Sequence, residues 1–374
     1  MTADSIFNAY IDANLVLFLA AVLWAAARFV LNQTWLRRAG LMQLHLIYGI
    51  LLAVAATPLV IALHHLAAQA GLWGAGYSAS ISDFALAQFL NGRIGMSPSQ
   101  FEALWMSRLV FTQDVTGLSS VLGIAVALFL AGGALIGAGR LMRNAWQVGL
   151  VIRRGYLWRR FGTVHIVLTD RIDVPFSTRG LTRRYIVLPS ALLSQADDLR
   201  IAIAHELQHM RQGDLGWEIA LEALRPVFFW NPAFIYLKRE VDELRELACD
   251  QQILARRQFG VRDYCDCLLR VCQNALGHRG LRQVAAPSVP LLRSGGGRRA
   301  AEFLKRRVVA MLSHRQPAPS RWVTAALILP FAAAIGFGAI SSQGSQADWS
   351  QDRLMLSTIV NLERLDQRTL ATRY

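Results

Sequence analysis

Lysine is almost absent from this chain: of its 374 residues only Lys238 and Lys305 are lysine. Ile235 and Glu302 stand three positions before them, so no Ser-x-x-Lys occurs and the serine nucleophile that such a pairing activates is excluded. Cysteine is scarce too. Cys249, Cys265, Cys267 and Cys272 are the whole complement. Cys265-x-Cys267 lacks the spacing of a structural zinc knuckle and lies in a helical pattern, so these residues read as reduced thiols buried as small hydrophobes. The first 13 residues carry Asp4 and Asp12 but no basic side chain, which argues against a cleavable signal peptide and makes the first apolar run an anchor.

Charge is missing from four long stretches. Residues 14–31, 44–66, 120–138 and 322–340 are apolar runs near the ~20 residues that cross a bilayer. Arg28 alone interrupts them, close enough to the end of its run to snorkel. The net charge of +14 sits wholly within residues 140–321, where 30 Lys+Arg exceed 16 Asp+Glu; outside them nine of each cancel. Arg37 and Arg38, then Arg140 and Arg143, flank the spans and set the central domain on the cytoplasmic side of a bacterial-type inner membrane. The predicted layout is an extracytoplasmic N-terminus (1–13), three spans (14–138) with an outer loop at about 67–117, a cytoplasmic domain (139–321), a fourth span (322–341) and an extracytoplasmic tail (342–374) too short for a folded sensor. Anionic lipid beside a tethered domain accounts for its basic charge, so the bilayer is the expected partner and direct nucleic-acid binding is not.

What is present, and sharply so, is Ala204-His205-Glu206-Leu207-Gln208-His209-Met210. With 8 His and 9 Glu in the chain, chance would produce His-Glu-x-x-His only about 0.004 times. On a helix His205 and His209 return to one face a turn apart, where two imidazoles can grip one ion. Glu206 beside them can take a proton from the attacking water and pass it to a leaving amine, which makes it the general base. Ser194 and Asp197 offer capping side chains upstream, Leu199, Ile203, Leu207 and Met210 an apolar face, and Gly213 a stop.

A catalytic zinc usually takes three protein ligands and keeps one position open. Glu246 is the candidate for the third. Asn231-Pro232 reads as a cap followed by proline at the first helical position, opening a helix that runs to about Arg256 with Glu246 near its middle. Asp250, one turn later, could accept the free N–H of a ligating histidine and fix its tautomer. The competing reading makes Glu246 one more charge on an acidic face with Glu240, Asp242 and Glu243. No oxyanion donor is assignable; Tyr264 and His278 are possible ones.

Elsewhere, a basic helical continuation at 139–155 leads to β-rich segments at 164–168 and 185–188, bracketed by Thr178-Arg179-Gly180 and Pro189. His165 alternates with apolar neighbours, where a structural role outweighs a fourth metal-site role. A strand edge beside a metal cleft would suit a peptidase, because an extended substrate can add to it. Residues 217–224 read as a helix stopped by Pro226, and the apolar run 227–230 as core in preference to a patch dipping into the leaflet. Helices are expected at 262–276 and 300–312. Between them Arg293-Ser294-Gly295-Gly296-Gly297-Arg298-Arg299 is a linker, with self-cleavage near Arg298-Arg299 as a further hypothesis. The tail carries a weak stripe of Leu354, Ile359, Leu362 and Leu365.

Residues 185–193, the run Ala204 to Asp214, Asn231-Pro232, Arg245-Glu246-Leu247-Ala248-Cys249-Asp250 and Leu304-Lys305-Arg306-Arg307 together resemble the motifs of the BlaR/MecR-type membrane metallopeptidases, in that family's order. The resemblance covers roughly 14–341. It implies a polytopic α-helical membrane protein of about four spans with a cytoplasmic α+β, gluzincin-like zinc metallopeptidase domain, an antirepressor that inactivates a cytoplasmic repressor on a signal at the membrane. It also implies that His205, His209 and Glu246 bind Zn2+ and that Glu206 is the catalytic base. The antibiotic sensors of that family carry a penicillin-binding domain with Ser-x-x-Lys, which this chain lacks, so direct covalent β-lactam sensing is not expected. A membrane-protein quality-control or prenyl-protein-processing metallopeptidase and a zinc-containing signalling scaffold of low turnover remain as rivals; an intact Glu206 argues against the scaffold.

Overall fold

The computed structural model describes residues 2–70, 86, 88–91, 93–180, 182–277, 289–290, 297–312, 321–342 and 357–363. The chain opens with α1 (Ala3–Asn32), a 3-10 turn (Trp35–Arg38), α2 (Gly40–Gln69), α3 (Pro98–Gly117) and α4 (Val121–Arg154). Strands β1 (Tyr156–Phe161), β2 (Val164–Thr169), β3 (Phe176–Arg179) and β4 (Arg184–Pro189) follow, then a 3-10 turn (Ser190–Ser194). Next come α5 (Ala196–Gln212), α6 (Asp214–Leu224), α7 (Pro232–Ala255), α8 (Val261–Gly277), β5 (Val289–Pro290), α9 (Gly297–Leu312) and α10 (Arg321–Ser342).

Among the described residues α1, α2, α4 and α10 are long and apolar enough to cross a membrane. They coincide with the four runs read from the sequence but extend past them. At 1.5 Å per residue the 34 residues of α4 reach about 50 Å, beyond a hydrocarbon core of about 30 Å. Its basic end, from Arg140 to Arg154, continues the same helix.

The chain forms two compact units. One comprises Met1–Leu23, Gly49–Ala131 and Ala326–Tyr374. Within it the predicted outer loop contains α3, whose start is fixed by a capping box between Ser97 and Gln100. Arg108 of α3 donates to Asp12 of α1 at 2.7 Å, and Ser99 donates to Glu363 in the tail at 3.0 Å. Val360 packs against Leu86 and Phe101. The tail thus docks through Val360, while Ile359 and Leu362 of the predicted stripe stay exposed.

The other unit comprises Trp24–Tyr48 and Gly132–Ala325. Its sheet has the order β1-β2-β4-β3-β5, with β2 and β4 parallel and the other pairs antiparallel. Alternation along the strands sends Ile166, Leu168, Ile186 and Leu188 to one face, against Leu199, Ala202 and Met210 of α5. Val187 and Phe176 turn to the other face, against Val148 and Val151 on the basic end of α4. Thr178 and Arg179, read as a turn, belong to β3: the turn falls later, where Gly180 N–H donates to Arg183 O at 2.8 Å. Of the apolar run 227–230, Val227 and Trp230 are 44% and 42% exposed while Phe228 and Phe229 are half-buried, so only its middle packs inward. A Cβ at Gly133 of α4 would overlap the Phe229 ring, which shows where that run is seated. All four cysteines are free and buried, Cys249, Cys265 and Cys267 in a core with Ile201, Tyr264 and Met311.

Near the start of α5 the buried Asp198 accepts from Arg270 Nε at 2.8 Å and Nη2 at 2.5 Å. These hydrogen bonds hold the Asp198 carboxyl below its ordinary value. The pair therefore contributes fully above the unfolded value of about 4 and is lost as pH falls below it. Thermal denaturation at pH 6 and pH 3 should show a larger acid loss for the wild type than for Arg270→Ala, and a lower midpoint for the variant at pH 6.

Candidate metal centre

Two helices present the centre. Gly213 takes φ 79°, and its N–H donates to His209 O and Met210 O, stopping α5. The start of α5 is not capped by Ser194, whose hydroxyl donates to Ala191 O inside the preceding 3-10 turn. Asp197 and Asp198 instead favour the first turn through the helix dipole. In α7 the Asn231 side chain accepts from Ala233 N at 2.8 Å and Phe234 N at 3.2 Å, with Pro232 at the first helical position, as the sequence suggested. Leu237, Val241, Leu244 and Ala248 are buried at 1% exposure or less and seat α7 so that Glu246 faces α5.

His205 Nε2 and His209 Nε2 lie 3.1 Å apart. Glu246 Oε2 is 3.5 Å from the first and Oε1 is 3.6 Å from the second. Donors that sit 2.0–2.2 Å from a tetrahedral ion are separated by about 3.3–3.5 Å, so these spacings fit one small divalent cation. The far side of each ring fixes its tautomer. His209 Nδ1 donates to Asp214 Oδ2 at 2.8 Å, and His205 Nδ1 donates to Tyr264 Oη at 2.8 Å, whose own O–H donates to Asp250 Oδ1 at 2.8 Å. Both Nε2 atoms are then bare lone pairs facing each other, an arrangement that favours a cation between them.

Cys249 Sγ also lies within metal-holding reach of both histidines. It stands 3.5 Å from His205 Nδ1, on the face of the ring already engaged by Tyr264, and burial raises its thiol well above the ordinary range. Glu246 is the better third donor. Burial by itself would raise its carboxyl; the Arg307 guanidinium and the adjoining His205 and His209 side chains outweigh this and hold it at about 2. It is therefore ionised and ready to bind metal at neutral pH.

Glu206 is wholly buried. Ser177 of β3 is near enough to influence it, yet neither carboxylate oxygen meets hydrogen-bond geometry with a partner among the described residues. Burial pushes its pKa up to about 7, opposed in part by His209. A carboxyl poised there can take and return a proton near neutral pH.

Asp250 lies one step further back than the sequence suggested. Its Oδ1 is 3.8 Å from His205 Nδ1, and Tyr264 fills the gap as the bridge. That role commits the Tyr264 hydroxyl and removes it as an oxyanion donor. Arg307 of α9, 2% exposed, donates to Asp250 through Nε and Nη2 at 2.8 Å each and pairs with Glu246 at 3.0 Å. Arg307, Asp214 and Tyr264 have no spacing signature that links them to the histidines; of the three, only the five-residue step from His209 to Asp214 is local. His165 sits on β2 with its Nδ1 3.4 Å from Thr163 O, outside the converging group. His278 lies outside the described residues. Arg298 and Arg299, read as linker, fall in the first turn of α9.

A family model described as BlaR1 peptidase M56 matches residues 16–280. A regulatory protein BlaR1 of Bacillus licheniformis is 33% identical over 78 residues, covering 21% of this chain and 13% of that protein. A methicillin resistance mecR1 protein of Staphylococcus aureus is 31% identical over 99 residues, 25% of this chain and 17% of that protein, and one of Staphylococcus epidermidis matches equally. The matched segments thus span less than a fifth of each relative.

Two substitutions separate the donor sets. Glu246→Gln should weaken divalent-metal uptake by more than the roughly 10–100-fold that a supporting residue is worth, and Cys249→Ala by far less, as measured by chelator competition. Arg307→Met should lower stability by about 3–5 kcal/mol in chemical denaturation, because it strands the Asp250 and Glu246 carboxylates in the interior.

Proposed function

The chain belongs to the BlaR1 peptidase M56 family, and on that premise we propose that it is an integral-membrane zinc metalloendopeptidase that hydrolyses a peptide bond in a cytoplasmic protein. The substrate in this reading is a transcriptional repressor or other regulator, cut in response to a signal at the membrane. The observation that carries the catalytic part is the convergence of His205, His209 and Glu246 beside the Glu206 carboxylate, which has no hydrogen-bond partner among the described residues. The regulatory part rests on the family, whose matched relatives are named as regulatory and resistance proteins. The cytoplasmic placement rests on the arginines flanking the spans.

His205 and His209, through Nε2, and Glu246 would hold the zinc. When bound, the ion supplies Lewis acidity to the scissile carbonyl and acidifies water. Glu206 accepts the proton of the attacking water and returns it to the leaving amine nitrogen. Asp214 and Tyr264 keep both imidazoles in the tautomer that offers Nε2. Arg307 keeps Glu246 ionised and Asp250 paired. The histidines and Glu206 are at most 1% exposed, so a substrate reaches them only once the site opens, which suits an enzyme switched by its membrane segments. Self-cleavage near Arg298-Arg299 would require the first turn of α9 to unwind, since peptidases take extended backbone.

Glu206→Gln should retain zinc while lowering turnover by about 10²–10⁴-fold, the usual share of general acid–base catalysis. Protein N-termini labelled in cells expressing wild type or Glu206→Ala should differ at one or two cytoplasmic regulators. Termini spread over many membrane proteins would instead assign quality control, and identical sets would assign a scaffold.

A further inference from the structure

An apolar helix reaches the metal centre through a single hydroxyl. Tyr48 belongs to α2, and its Oη donates to Asp214 Oδ1 at 3.2 Å. The other oxygen of that carboxylate accepts from His209 Nδ1 at 2.8 Å. Tyr48 is 8% exposed and Asp214 fully buried, so water does not compete for either bond. The Tyr48 ring also stacks on Trp217, with centroids 4.4 Å apart and planes within 5°. Trp217 and Asp214 share the first turn of α6, so the segment that presents the carboxylate also clamps the ring that donates to it.

A carboxylate held by one hydrogen bond can rotate about its Cβ–Cγ bond; held by two from different elements, it is fixed in orientation. The orientation of His209 Nε2, and so its fitness as a metal ligand, depends on the group holding Nδ1. α1 also grips the domain, through Trp24 Nε1 at 3.2 Å from Glu240 and through an Arg28–Glu240 ion pair. Glu240 precedes Glu246 by six residues on α7, about 9 Å along the helix. The contact from α2 is closer, one residue removed from a donor.

We propose that Tyr48 is a positioning residue for the metal centre, which makes the placement of α2 a determinant of metal binding by His209. The inference rests on the metallopeptidase reading and adds to it a named route from a membrane helix to a ligand.

The test uses the full chain in detergent micelles, with zinc affinity measured by competition with a chromophoric chelator and ligand geometry by the visible spectrum of the Co2+-substituted protein. Tyr48→Phe keeps the stack on Trp217 and removes only the hydroxyl. It should weaken zinc binding about tenfold and shift the Co2+ spectrum, with the thermal midpoint of the metal-free protein unchanged. Asp214→Ala should weaken binding more, and adding Tyr48→Phe to it should have no further effect, because the hydroxyl acts through that carboxylate. Zinc affinity of Tyr48→Phe within about twofold of wild type, or losses that multiply in the double variant, would overturn the proposal. A wild-type chain that takes up no zinc would remove the metallopeptidase reading and the inference with it, an outcome visible before any variant is compared.

Discussion

Two imidazole nitrogens with bare lone pairs 3.1 Å apart, and a carboxylate within 3.6 Å of both, repel one another unless a cation joins them. Holding that arrangement in the interior is the constraint on which the rest of the domain depends. Each donor is restrained from behind by a different element. Asp214 at the start of α6 takes His209, Tyr264 of α8 takes His205, and Arg307 of α9 takes Glu246. Asp250 ties the last two together by accepting from both Tyr264 and Arg307. Four helices besides α5 are thereby committed to one small volume.

A second buried charge network lies along the junction of α6 and α7. Arg245 pairs with Glu218 at 2.7 Å and Asp242 at 2.8 Å, and Lys238 pairs with Glu218, Glu222 and Asp242. Burial would raise the Glu218 carboxyl, but the charges of Arg245 and Lys238 prevail and hold it down. Buried ion pairs of this kind contribute little net stability against apolar replacements, while removing one partner is expensive. Their effect is on geometry: they fix α7, and with it Glu246, against the helix whose first residue is Asp214.

The apolar helices are more than anchors. The end of α1 and the start of α2, residues 24–48, belong to the same compact unit as the metal centre. Glu240 receives Trp24 and Arg28 from α1, and Asp214 receives Tyr48 from α2. The far face of the sheet rests on the end of α4. The converging donors therefore share their compact unit with parts of α1, α2 and α4, helices long and apolar enough to cross a membrane, and the first two hydrogen-bond to side chains of α7 and α6.

His205, Glu206 and His209 were legible because helical periodicity alone brings residues four apart to one face, and Glu246 because a capped, unbroken helix had to carry it. The four apolar runs were legible for a similar reason: length and lack of charge are local properties. Thr178 and Arg179 form strand in place of the expected turn because pairing with β4 outweighs local turn propensity, and Val227 and Trp230 are exposed because apolar composition does not say what covers a residue. Asp214, Tyr264, Arg307 and Tyr48 carry no local pattern that ties them to a histidine 5, 59, 98 or 161 residues away. Composition and periodicity determined which residues could bind a metal and which segments could cross a membrane. Only the tertiary structure decided which buried partners hold those residues in place, because burial makes each polar group take a partner from whichever element packs beside it.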